Sequence, residues 1–589
     1  MDNMQQMGRI TRISGPIVEA EDLPDALMYE VLEVGHERLI GELIRTSGQQ
    51  ATIQVYENTS GLRPGEPVFR SGSPLAVLLG PGLIGNIYDG TQRPLPALRA
   101  LSGSRIRRGE KVESLPPQRK WPFRPSAQVG QQLSPGTVLG IVAETPAVEH
   151  RVLVPPGLQG RLVEIAPPGD YTVHHVVGRL QTAQGEVPLR MAHRWPVRRP
   201  RPYRARRRAR EPLVTGMRVI DTLFPIVRGG TAAIAGGFGT GKTMAQHSLA
   251  KWCGADIVIY VGCGERGNEM TDVLVEFPKR IDPRTGRSLM ERTVLIANTS
   301  NMPVAAREVS IYTGVTIAEY YRDMGYHVAV MADSTSRWAE ALRELSARLE
   351  EMPAEEGFPA YLPARLAEFY ERAAAVETLS GASGSVTIIG AVSPPGGDFA
   401  EPVTQHTKRF IRCFWELDTT LANARHYPSI HWLHSYSEYV PDVAEWWERV
   451  DPQWAQLRAR AVHILQAEDR LQQIVKLVGP DVLPESQRLV LLVAELLKNA
   501  FLQQNALDEV DMCCLPGKQV ALLRAILDVH ERGSRVIEMG APLLRVRELP
   551  VMREILRAKS SIPNNDAASM SALRQRIASQ FDELERSYR

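Results

Sequence analysis

The sequence predicts a multidomain α/β protein: an N-terminal β-barrel, a β-rich inserted domain, a parallel-sheet domain with a phosphate-binding loop, and a C-terminal helical domain. Three observations predict it. Short β-like runs punctuated by glycine fill the first part of the chain. Apolar strands alternate with helix-length segments from Glu211 to about Trp432, and after about Val440 the apolar spacing turns helical. At 589 residues the chain has length for several domains. The expected boundaries are 1–72 for the barrel, 73–108 with 189–440 for the parallel-sheet domain, 109–188 for the insertion and 441–589 for the helical domain.

Each element has a local reason. In the barrel region Ile53 and Val55 alternate with Thr52, Gln54 and Tyr56, while Gly8, Gly15, Gly35, Gly41, Gly48 and Gly61 break the runs. Residues 109–188 are rich in Pro and Gly, with β-like runs at 138–142, 151–154 and 161–165 and a turn at Pro155-Pro156-Gly157. This stretch resembles a barrel-sandwich hybrid, the shape of biotinyl and lipoyl carriers. No lysine stands at a hairpin tip within it, which argues against a carrier. Its own patterning implies that its removal leaves the core of the parallel sheet covered. Residues 198–210 hold eight arginines, open to a nucleic-acid or nuclear-localisation reading; a solvated linker is the expectation. Strands are expected at 231–235, 257–262, 294–297, 327–332 and 386–392, and helices at 461–478 and 487–503.

Composition excludes several classes. Charged residues make up 23% and apolar residues 43%, as in a folded globular chain, and the net charge of +2 argues against bulk capture of nucleic acid or anionic lipid. No apolar run reaches 18 residues, so no membrane-spanning helix is expected. The start, Met1-Asp2-Asn3-Met4-Gln5-Gln6-Met7, lacks the basic and apolar regions of a signal peptide. Cys253, Cys263, Cys413, Cys513 and Cys514 show no metal-ligand spacing, and reduced thiols are expected; the adjacent pair Cys513-Cys514 leaves a redox reading open.

The strongest chemical signal is Gly236-Gly237-Phe238-Gly239-Thr240-Gly241-Lys242-Thr243, entered by a β-like run and left by a helix-like run from Met244. Backbone N–H groups can turn toward phosphate oxygens only where no Cβ intervenes, and the helix N-terminus behind them adds partial positive charge. Lys242 is placed to reach β- and γ-phosphates, and the Thr243 hydroxyl to ligate Mg²⁺. The pattern implies binding of a nucleoside triphosphate.

Turnover needs more groups. The run at 257–262 leads into Cys263-Gly264-Glu265-Arg266-Gly267-Asn268-Glu269-Met270, and carboxyl ends of strands in such sheets line the ligand crevice. Glu265 there is either a base for the attacking water or a surface carboxylate in a turn. Val328-Ala329-Val330-Met331-Ala332-Asp333 is a buried-strand pattern that delivers a carboxylate toward Mg²⁺. Arg337 falls one helical turn later, within reach of phosphates or of a neighbouring carboxylate.

Residues 236–243, 262–270, 298–310, 333–344, 351–368 and 393–405 resemble the catalytic A subunit of V-type and archaeal-type rotary ATPases. The last begins Ser393-Pro394-Pro395-Gly396-Gly397-Asp398-Phe399. The likeness extends to Ile17-Val18, to Gly85-Asn86-Ile87-Tyr88-Asp89-Gly90 and to Phe501-Leu502-Gln503-Gln504-Asn505, so it covers nearly the whole chain. The phosphate loop separates A from B subunits, which lack it. The resemblance implies a RecA-like nucleotide domain in which residues 236–243 with Met244 bind ATP or ADP. Thr243 and Asp333 then hold Mg²⁺, Glu265 is the catalytic carboxylate, Arg266 helps position it, and Arg337 completes the pocket. It further implies that Tyr427 stacks on adenine and Phe501 closes the other side of the ring, although both aromatics also read as ordinary core. Three positions depart from the family pattern: Thr240 where many eukaryotic members have cysteine, Gly237 where proline or alanine is usual, and Leu507 where an aromatic often lies near the adenine.

The same resemblance implies three such chains alternating with three B subunits around a central shaft, with peripheral stalks. The complex lies against the cytoplasmic face of a membrane whose ion-translocating sector, for H⁺ or Na⁺, is made by other chains. An arginine finger would come from B. Three rival readings share the core. A homohexameric export ATPase fits poorly with the insertion and the long helical C-terminus. An RNA-translocating hexamer would need a stacking platform, and the first seventy residues offer only Tyr29, Tyr56 and Phe69, so no nucleic-acid partner is expected. A regulatory chain without turnover would not need Glu265.

Overall fold

The structure, a computed structural model, describes residues 6–103, 106–282, 284–479 and 482–588; Met1–Gln5, part of the segment read above as lacking a signal peptide, lie outside them. Alternating burial closes the first strands into a six-stranded barrel, in the order Gln6–Ser14, Ile17–Glu21, Gln50–Val55, Leu39–Ser47, Glu30–Val34 and Pro67–Pro74. Val18, Leu32, Leu43, Ile53, Val55 and Val68 fill it. Closure removes the unpaired strand edges that an open sheet of this size would expose. Tyr56 is buried outside the barrel core, where its hydroxyl donates to Glu42 Oε2 at 2.8 Å.

The insertion forms two four-stranded antiparallel sheets. One runs Gln132–Leu133, Gly160–Ile165, Val176–Thr182, Gly185–Arg190; the other runs Glu149–Leu153, Val138–Ala143, Lys120–Pro125, Gly169–Thr172. It does not have a separate core. Trp121, Phe123 and Leu139 belong to the same apolar cluster as Tyr320 and Tyr321 on the helix Val304–Asp323 and as Val328 and Val330 of the central sheet. Glu144, whose side chain is fully buried, accepts from the Gly82 and Ile84 amides at 2.7 and 3.1 Å and from Tyr321 OH, and contacts His150 Nδ1 at 2.7 Å. The expectation that the insertion can be removed without uncovering the sheet is corrected on this point: its apolar face and Glu144 are part of what covers that side.

The central sheet is parallel from Ile87–Tyr88 through Thr293–Thr299, Ile257–Glu265, His327–Asp333, Ser383–Val392 and Thr231–Gly236 to Cys413–Leu417; Tyr436–Ser437 adds an antiparallel edge. Continuous apolar runs such as Ile257–Glu265 are buried on both faces, as parallel strands must be. The strand Cys413–Leu417 was not among those expected. Beyond the sheet come Val440–Val450, Trp454–Val478, Glu485–Leu496, a π-helical turn Leu497–Leu502, Pro516–Glu538, Pro550–Ser561 and Ala567–Arg586. Among the described residues no helix is long and apolar enough to cross a membrane. All five cysteines are free. Burial pushes the Cys513 thiol up to about 12, which makes it a poor nucleophile.

The arginine run is a solvated linker only in part: Arg204, Arg206, Arg207 and Arg208 are exposed, whereas Arg198 and Arg201 are built into the fold. Arg198 Nη2 reaches Glu42 Oε2 of the barrel at 2.9 Å and Glu308 Oε2 of the helix Val304–Asp323 at 2.8 Å. Arg201 is buried against Asp323, Arg204 and Arg207 pair with Glu377, and Arg208 pairs with Asp442. Residues Ala205–Arg207 form a strand against Ala374–Glu377. The sequence count of positive charge could not show that the matching carboxylates come from distant parts of the chain. Removing Arg198 would strand two buried carboxylates. Arg198→Met is therefore expected to cost about 3–5 kcal/mol of stability, read as a lower urea midpoint, with Arg198→Lys intermediate.

Candidate active site

The strand Thr231–Gly236 runs into the glycine-rich loop and the helix Lys242–Trp252 leaves it. Gly239 and Gly241 take φ of 79° and 92°, a region costly for any side chain, and a Cβ on Gly236 would lie 2.7 Å from Leu417 Cβ. Gly237, by contrast, has room for a Cβ, with its nearest neighbour at 3.9 Å, so an alanine there meets no steric obstacle. Thr240 Oγ1 donates to Gly237 O at 2.8 Å and Ser429 Oγ to Thr240 O at 2.7 Å, which fixes the loop from inside and from the neighbouring segment. Lys242 Nζ reaches back to Gly236 O at 2.6 Å and Gly237 O at 2.9 Å. Burial lowers its pKa, with the nearby Asp333 and Glu265 carboxylates opposing that shift. Phe238 is 80% exposed at the loop tip, and the Arg266 guanidinium stands 4.8 Å from its ring centroid.

Asp333 ends its strand with 2% exposure and accepts from Tyr260 OH at 3.0 Å and from Thr243 Oγ1 at 3.3 Å. Burial raises its pKa. A buried carboxylate beside a hydroxyl is a hard-oxygen donor set, and its remaining lone pairs suit a small divalent cation, so the residues present fit Mg²⁺. Tyr260, which orients that carboxylate, went unnoticed in the sequence. Its signal was only its place two residues before Gly262 on an apolar strand.

Glu265 stands at the end of Ile257–Glu265, where the pairing with Thr293–Thr299 slips between Cys263 and Glu265. The slip sits at Gly264, whose φ is 74° and whose added Cβ would come within 2.8 Å of Arg337 Cβ and 2.9 Å of Arg307 Cδ. Such a bulge re-aims the following side chain. Burial first, then the Asp333 charge and the adjoining Glu269 carboxyl, push Glu265 up to about 8, while Ser334 hydrogen-bonds it in the opposite sense. A carboxyl with that value is poised to exchange a proton near neutrality. Arg337 Nη1 forks onto both Glu340 oxygens at 2.8 Å, so the ion-pair alternative is the one realised.

On the other side of the loop a cavity of about 640 Å³ opens between Thr240, Gly241 and Met244, the ring of Tyr427, and residues 503–508. Tyr427 is 44% exposed, and its Cε1 would lie 3.7 Å from a Cβ on Gly241. Phe501 is not brought to this wall. It is 1% exposed in the helical core, turned inward by the π-helical turn, and the cavity lining opposite Tyr427 includes Gln503, Gln504, Asn505 and Leu507. Leu507 is 88% exposed there.

Four families match consecutive parts of the chain. They are the ATP synthase alpha/beta family β-barrel domain over 10–72, the alpha/beta subunit barrel-sandwich domain over 112–198, the alpha/beta family nucleotide-binding domain over 216–437, and the C-terminal domain of V and A type ATP synthase over 444–539. The chain is 56% identical over 588 residues to the V-type ATP synthase alpha chain of Halothermothrix orenii, covering 99% of this chain and all of that one. It is 56% identical over 586 residues to the A subunit of the A-type ATP synthase of Thermococcus onnurineus, with the same coverage, and 55% identical over 582 residues to that of Methanopyrus kandleri, covering 98% of each. Among solved structures, the assembled ATPase EscN of the enteropathogenic E. coli type III secretion system superposes with a TM-score of 0.62 at 20% identity, over 88% of this chain and all of that one; this shows a shared fold.

Proposed function

The chain belongs to the family of catalytic A subunits of V- and A-type ATP synthases, and on that premise we propose how its residues divide the work on ATP. The loop amides of residues 236–243 and Lys242 bind the triphosphate. Lys242 exchanges its loop carbonyls for β- and γ-phosphate oxygens. Thr243 and Asp333 hold Mg²⁺, which supplies charge neutralisation at the phosphate oxygens. Glu265 takes the proton of the attacking water in hydrolysis and returns it in synthesis. Arg337 moves from Glu340 toward the phosphates, and Arg266, stacked on Phe238, steadies the strand end that carries Glu265. Tyr427 and Met244 receive the adenine in the cavity beside the loop.

The observation that carries this is the convergence of Lys242, Thr243, Asp333 and Glu265, from the carboxyl ends of the strands Thr231–Gly236, His327–Asp333 and Ile257–Glu265, at one edge of the sheet. Crevices at the carboxyl ends of parallel strands are where such folds bind ligands. Three copies alternate with three B subunits around a shaft and beside peripheral stalks, on the cytoplasmic face of a membrane. Rotation drives each site through states of different nucleotide affinity, coupled to H⁺ or Na⁺ transfer in the membrane sector.

Glu265→Gln tests the central role. The amide keeps the size and hydrogen-bonding shape of the carboxyl but cannot take a proton. The expected result is ATP binding retained and hydrolysis by the assembled complex down by about 10²-fold or more. Loss of binding together with turnover would make Glu265 structural.

A further inference from the structure

Carbonyls at a helix end lack partners inside the helix and carry partial negative charge, so groups outside must fix the direction in which the chain leaves. The turn Leu497–Leu502 ends in this way directly before the cavity wall at residues 503–508. Two cations meet it. Arg218, buried in the nucleotide domain, donates from Nε to Phe501 O at 2.5 Å and from Nη2 to Gln503 O at 2.8 Å, and pairs with Asp511 at 2.7 Å. Lys559 arrives from the helix Pro550–Ser561 and donates to Asn499 O at 2.7 Å, Gln503 O at 3.2 Å and Gln503 Oε1 at 3.0 Å. Gln504 carries the fixed direction across the cavity: its amide donates to Tyr427 O at 2.7 Å and its side chain to Gly216 O at 2.8 Å.

Lys559 lines the cavity, yet its three hydrogen-bonding directions are already committed to Gln503 of the wall and to Asn499 of the turn before it. It is therefore built to hold the wall rather than to touch a ligand. We propose that Lys559 is a positioning residue for the nucleobase subsite: it holds residues 503–508 opposite Tyr427 and so ties the C-terminal helical domain to nucleotide affinity. The inference rests on assigning this cavity to the base, as proposed above. Arg218 anchors the same turn to the nucleotide domain. Lys559 is the tie that travels with the helix Pro550–Ser561, so a displacement of that helix acts on the wall through it.

The test uses the full chain assembled with B subunits. It compares kcat, the KM for ATP, and inhibition by ADP and by inorganic pyrophosphate, which has phosphates but no base. For Lys559→Met the KM for ATP and the ADP inhibition constant are expected to rise about tenfold, the loss of charge-assisted hydrogen bonds to the wall, with kcat and pyrophosphate inhibition changed by less than about twofold. Lys559→Arg should recover most of the affinity. Should K559M fail to assemble, K559Q, which keeps a shorter donor, carries the same comparison. Tyr427→Ala, run alongside, should weaken ATP and ADP and spare pyrophosphate. ADP affinity unchanged in K559M but weakened in Y427A would overturn the role of Lys559 and leave the base subsite standing. ADP affinity unchanged in both would remove the base subsite, and the inference with it. Equal weakening of ADP and pyrophosphate by K559M would mark a general structural loss and also overturn the inference.

Discussion

Lys242→Ala is expected to abolish measurable ATP hydrolysis by the assembled complex, a fall of at least about 10²–10³-fold, and to weaken nucleotide binding at this chain. Phosphoryl transfer asks the protein mainly for positioned charge, because the developing negative charge is spread over the phosphoryl oxygens. Lys242 supplies that charge from a site where burial excludes much of the solvent and so strengthens it. Its reach is set by Gly236 and Gly241: one permits the strand to close on Leu417, the other the left-handed turn into the helix. The ammonium also braces the loop carbonyls of Gly236 and Gly237, so the alanine variant loses part of the loop's rigidity as well. Steady-state phosphate release checks the first effect and equilibrium ATP binding the second. Turnover near the wild-type rate would mean that the loop is vestigial.

What the sequence made legible is what depends on short-range patterning. The loop at 236–243, the strand delivering Asp333, and the strand carrying Glu265 were readable because glycine placement and apolar runs fix backbone path over a few residues. Family resemblance then supplied roles that patterning cannot. What escaped were features that depend on long-range partners. Arg198 looked solvated because Glu42 and Glu308 are 156 and 110 residues away in the chain. The insertion looked separable because its alternation is self-consistent, while the aromatic residues that complete its core, Tyr320 and Tyr321, lie on a helix of the nucleotide domain. Phe501 sits close in sequence to the cavity wall but faces away, since a π-helical turn rotates the side chains relative to regular helical spacing. The bulge at Gly264 is invisible to strand periodicity, and it is what aims Glu265.

The proposed division of work gives this chain the phosphate loop, the metal carboxylate and the base, but leaves to a neighbour the cation that stabilises the transferring phosphoryl group from across an interface. Arg337 sits on the helix Thr335–Arg348 inside this chain's own site, and Arg266 beside Phe238 at its own loop tip, so neither is a cation reaching in from a neighbour. A finger supplied by a neighbour is worth about 10³–10⁵ in rate. The most direct measurement is steady-state phosphate release from the purified chain alone, then with its B partner titrated in. The expected result is near-background release alone, rising steeply and saturating at one B per chain. Full activity without B, above all from a homohexamer of this chain, would contradict the account.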